Sequence, residues 1–109
     1  MGYKRVVKAS AEYAGESYSQ TLLKENGLLW TTDDKAIWTI YDGTGPIAGA
    51  AGNCTIATDL TTLSVLVPAT VTTGFIGNYK LLVELQNNLN ADISDVIAEY
   101  NIAYSPRIA

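Results

Sequence analysis

The sequence predicts an all-β domain, an Ig-like two-sheet antiparallel sandwich of about seven strands. Three observations predict it. Apolar and polar residues alternate with the two-residue period of a pleated strand. Turn pairs such as Asn26-Gly27, Asp42-Gly43 and Gly77-Asn78 interrupt that alternation at short intervals. Finally, the 109 residues suit one domain, 1–109, and should bury roughly 65% of the surface that the unfolded chain exposes. A small closed β-barrel is the alternative architecture.

The elements follow in order. A first strand is expected near 3–10, where Tyr3, Arg5, Val7 and Ala9 alternate with Lys4, Val6 and Lys8, with a turn from Glu12 to Glu16. A second, at about 17–23, places Tyr18, Gln20 and Leu22 on one face. The run Ala36 to Tyr41 is the clearest third strand, with Trp38 in the core between Ala36 and Ile40. Residues 43–52 have little side-chain bulk and read as a loop or a weak edge. Strands at about 53–58 and 62–67 come next, and Pro68 stops the second because it cannot donate to a ladder. After a one-turn helical crossover at 69–76, Tyr79, Leu81, Val83 and Leu85 share one face of the strongest strand. A final strand at about 95–104 carries Val96, Ala98, Tyr100, Ile102 and Tyr104 on one face, and these last two strands should pair as an antiparallel hairpin.

Composition narrows the function. Apolar residues make up 48% and charged residues 17%, less than the ~25% usual for a soluble domain, which suits a surface partly covered by a partner. The net charge is −4, with seven acids against five bases in residues 1–59 and four against two in 60–109. Lys4, Arg5 and Lys8 are the one basic cluster, too small to track phosphates, so no nucleic-acid partner is expected. No apolar run suggests export or a membrane span, so synthesis in a reducing cytoplasm is the simplest reading. The Asn53-Cys54-Thr55 sequon is then a coincidence, and Cys54 is expected to pack as a small hydrophobe.

Chemistry is scarce. Histidine is absent, and with it the usual general base and the commonest metal ligand. Cys54 has no histidine to deprotonate it. Asp33-Asp34 reads as a solvated or capping turn, and the oxygens of Asn90 to Asp95 lack the Gly and closing Glu of a calcium loop. No enzyme activity, cofactor or metal is expected. The aromatics Trp30, Tyr13 and Tyr41 could stack on sugar rings, which raises a carbohydrate-binding reading. Leu28-Leu29-Trp30 reads either as a plug at the end of the sandwich or as an anchor for a protein contact.

The order of several short segments resembles a known family. Gly15 to Leu22 and Ala36 to Asp42 are followed by Leu63-Ser64-Val65-Leu66-Val67-Pro68, then by Thr72-Thr73-Gly74 leading to Gly77-Asn78-Tyr79. This is similar to the Ig-like sandwich domain of tailed-phage virion proteins, such as the N-terminal domains of upper-baseplate and tail-fibre attachment proteins. The resemblance implies a non-catalytic module assembled in the bacterial cytoplasm and located in the virion. It would be present in multiple copies or as a homo-oligomer, bound to tail, baseplate or capsid proteins, with no membrane partner. Capsid decoration is a neighbouring option, and host-surface adhesion through sugar binding a second. The candidate contact residues are Leu28, Leu29, Trp30 and Ile47.

Overall fold

The computed structural model describes residues 6–23, 30–87 and 94–106. Eight strands and one short helix follow in the order β1 (Val6–Tyr13), β2 (Tyr18–Leu23), β3 (Asp34–Asp42), β4 (Gly45–Asn53), β5 (Thr55–Ile56), β6 (Thr62–Val67), α1 (Ala69–Thr72), β7 (Gly77–Asn87) and β8 (Ser94–Ser105). They form two open sheets: five strands in the order β1-β8-β7-β3-β4, and three in the order β2-β6-β5. The architecture is therefore an all-β sandwich rather than a closed barrel, with one strand more than expected.

The core lies between the sheets and follows the two-residue alternation. Ala36, Trp38 and Ile40 of β3, Leu81, Val83 and Leu85 of β7, and Tyr100, Ile102 and Tyr104 of β8 face Tyr18 and Leu22 of β2 and Leu63, Val65 and Val67 of β6. Each such side chain contributes about 1.5–3 kcal/mol on full burial, largely offset by the entropy of ordering the chain. The Tyr18 and Tyr100 rings meet edge to face at 6.0 Å and join the two sheets. At one end Phe75 stacks on Tyr79 at 4.3 Å, and Tyr104 stands edge-on to both.

Four features sharpen or depart from expectation. First, of the two readings of 43–52 the edge one holds and the loop one does not: 45–53 is a strand, β4, at the edge of the larger sheet. Gly52 lies opposite Trp38 and leaves room for the indole, so the low bulk that suggested a loop makes the strand fit. Second, β1 runs to Tyr13 and pairs with β8 in parallel, so the larger sheet is mixed rather than antiparallel. Third, the β7–β8 hairpin forms as expected but shifts register between Val83↔Ala98 and Glu84↔Val96. The extra residue of this bulge, Ile97, is buried beside Ala98, and Val96 leaves the inner face assigned to it. Fourth, the strand expected at 53–58 shrinks to Thr55–Ile56.

Thr72 joins the helix to the β1–β2 turn. This fully buried residue donates its hydroxyl to the Glu16 carbonyl at 2.8 Å, and the same oxygen accepts the Gly15 N–H at 3.1 Å. Gly15 has φ +82°, a left-handed conformation that glycine adopts without strain.

Candidate functional site: the outer face of the larger sheet

On β1 the usual polarity is reversed. Its register with β8 places Val6, Lys8, Ser10 and Glu12 on the side of the buried Ala98, Tyr100, Ile102 and Tyr104. Val7, Ala9, Ala11 and Tyr13 therefore point outward. Val7 is 60% exposed and Tyr13 55%. Charged residues on the inner side of an edge strand, at the open flank of a sandwich, are a known guard against unwanted strand pairing. Here they also move the apolar half of β1 into solvent.

Register carries this row across the sheet. Ala9 is opposite Asn101, Asn101 opposite Lys80, and Lys80 opposite Tyr41; the neighbouring row runs through Ala11, Ala103 and Asn78. A groove of about 450 Å³ crosses these four strands, with Ala9 and Ala103 among its lining residues and Tyr41, Asp42, Asn78, Lys80 and Asn101 around them. Small side chains between larger ones create the hollow. Lys80 lies 3.9 Å from Glu99, which also accepts a hydrogen bond from Asn101 at 3.3 Å. At the groove's edge Asp42 accepts two hydrogen bonds of 2.7 Å, from the Thr44 backbone N–H and hydroxyl. These bonds hold its carboxyl below its usual range.

The predicted contact residues fare differently. Trp30 is buried in the core cluster at 3% exposure, the end-plug alternative, and its backbone N–H donates to the Leu60 carbonyl at 2.7 Å. Ile47 is partly buried and packs against the same core. Leu28 and Leu29 lie outside the described residues, as does most of the Asn90 to Asp95 loop. Of the four, the described pair, Trp30 and Ile47, both pack on the core side. Tyr13 and Tyr41 do lie on the outer face. Asp34 caps its turn by accepting the Thr31 N–H at 3.0 Å. Cys54 packs partly against the core, and burial pushes its thiol up to about 12. Among the described residues no cluster of three or more acidic or cysteine side chains could hold a metal ion.

Sequence reasoning missed Ala9, Ala11, Ala103, Lys80 and Asn101 as a group. The signal was the run Val7-x-Ala9-x-Ala11-x-Tyr13, which alternation marks as one face without saying which way it points. No protein-family model matches the chain, and no match is found among curated proteins.

Proposed function

We propose that the chain is a non-enzymatic structural module of a bacteriophage virion, a multicopy assembly or attachment unit of the tail, baseplate or fibre. Capsid decoration is the nearest variant. The observation that carries the reading is the outward apolar row on β1, beside a groove and on an ordered sheet: such a surface suits contact with another protein. The surface charge supports it, because Asp59 is the one charged residue between Asp42 and Lys80.

The finer fold assignment, an immunoglobulin-like sandwich, rests on three details. The order β2-β6-β5 against β1-β8-β7-β3-β4 has the pattern of strands B-E-D facing a sheet built on G-F-C. Trp38 is buried on the third strand. Tyr79, near the start of β7, accepts the Ile76 N–H at 3.2 Å, the arrangement of a tyrosine corner. Two residues on, where antibody domains carry a cysteine, stands the fully buried Leu81, so apolar packing takes the place of a disulfide.

The test is mass spectrometry of phage particles purified from a culture expressing the gene from its own locus. The chain should be found in the particles in many copies; particles that lack it overturn the reading. A second reading, sugar-mediated adhesion, is favoured by Tyr41 beside Asn78 and Asn101 in the groove. A glycan array with wild type and Tyr41→Ala tests it, and no binding by either removes it.

A further inference from the structure

The outer face of the five-stranded sheet has properties that suit contact with itself. Among the described residues, register assigns four charged side chains to it, Lys35 and Lys80 against Glu84 and Glu99, which balance to zero, with the Asp42 carboxylate at the groove's edge beside them. A two-fold contact presses one patch against its own copy, so a patch of one sign repels itself and a balanced one does not. The face also offers both halves of a fit. Tyr13 projects from β1, and the groove floored by Ala9 and Ala103 is a hollow of about 450 Å³. Tyrosine is a preferred anchor in such hollows.

The size is adequate. Five strands spaced ~4.8 Å apart, over about seven residues of ~3.3 Å each, give roughly 550 Å² per copy. Two copies then bury about 1,100 Å², just above the ~1,000 Å² of a specific contact. The outer face of the smaller sheet exposes Leu23 and Leu66 too, but its other members among the described strands are Ser19, Thr21, Thr55, Thr62 and Ser64. Among the described residues that face provides hydroxyls and no charge to fix a register.

We propose that two copies of this chain pack through the outer faces of their five-stranded sheets, about a two-fold axis, with Tyr13 of each copy entering the groove of the other. The inference rests on the assembly reading above. It is tested by sedimentation equilibrium of the full chain over a concentration series, with Ala103→Arg, Ala9→Arg and Leu66→Arg beside wild type, and melting curves for all four. Wild type should dimerise. Either alanine variant should self-associate at least about tenfold more weakly, because an arginine fills the hollow and unbalances the charge, while its melting temperature matches wild type at concentrations low enough for both to be monomers. Leu66→Arg should dimerise as wild type does. The use of two alanine positions guards against one variant failing to fold. A wild-type monomer at every concentration overturns the proposal, as does a dimer broken by Leu66→Arg and not by either alanine variant. A monomer that is nonetheless found in phage particles overturns it while leaving the assembly reading intact. A monomer whose glycan binding is lost in Tyr41→Ala overturns it in favour of the sugar reading.

Discussion

Gly52 lies directly across the β3–β4 ladder from Trp38, and a Cβ placed there would stand 2.8 Å from the indole ring. The ring lies over the glycine's backbone. Gly52→Ala must therefore push a buried tryptophan or open the edge strand, at a cost of about 1–3 kcal/mol. Gly43→Ala is the matching control, because its Cβ meets nothing within 4 Å and its φ is ordinary. Urea unfolding of the two variants should show a clear loss of stability for the first and a change within about 0.5 kcal/mol for the second.

Thr72 supplies a second expectation. Thr72→Val keeps the shape but removes the hydroxyl donor to the Glu16 carbonyl and one acceptor of the Gly15 N–H, which keeps the Thr72 carbonyl at 3.3 Å. Losing the partner of a buried polar group costs about 1–3 kcal/mol. Thr72→Ser keeps the hydroxyl and should lose less. Hydrogen exchange at Gly15 should accelerate in the valine variant and stay close to wild type in the serine variant.

Tyr100 and Tyr104 invite the opposite result. Their hydroxyls are buried and have no hydrogen-bond partner among the described residues. Removing an unmatched buried hydroxyl is neutral or stabilising, so Tyr104→Phe should melt at or above the wild-type temperature.

The same two tyrosines set an alkaline limit. Burial above all raises both phenols from the ordinary value of 10.0 to about 12, with smaller effects from Tyr18 and Cys54 on Tyr100, and from Glu12, Tyr18 and Tyr79 on Tyr104. Their folded values exceed the unfolded ones, so their contribution is fully present below pH 10 and is lost as pH rises from 10 toward 12. Denaturant titrations across that window should show falling stability, with a smaller fall in the Tyr100→Phe, Tyr104→Phe double variant.

Cys54 should resist thiol reagents. Burial pushes it up to about 12, so little thiolate forms near neutrality in the folded chain. Its reaction with a disulfide reagent at pH 8 should be slow when folded and accelerate sharply in denaturant. Rapid reaction without denaturant would contradict the packing described for it.

What could be read in the sequence depended on side-chain bulk. The β7–β8 hairpin and Trp38 stood out because large apolar residues alternate with polar ones, and burial follows that pattern. β4 was hidden because Gly and Ala give no amplitude to alternate, and its strand character depends on a tryptophan 14 residues earlier that needs a flat neighbour. The bulge at Ile97 was hidden because one inserted residue reverses the phase without changing composition. For the candidate site the limit was different. Leu28-Leu29-Trp30 is apolar whether it plugs a core or meets a partner, and only the fold shows that Trp30 is inside. On β1 the alternation was visible, yet which half faced the core depended on the parallel pairing with β8, a contact between the two ends of the chain.

That pairing has a mechanical consequence. β1 and β8 run side by side in the same direction, with Val6 beside Ala98 and Tyr13 beside Ser105. A pull applied at Val6 and at Ser105 drags the two strands past each other along their length. All the bonds of the ladder then share the load at once, rather than opening one after another as in an unzipped hairpin. The chain also enters and leaves at opposite ends of the sheet, so tension passes straight through it. Under tension along the chain, this β1–β8 seam would act as a shear lock.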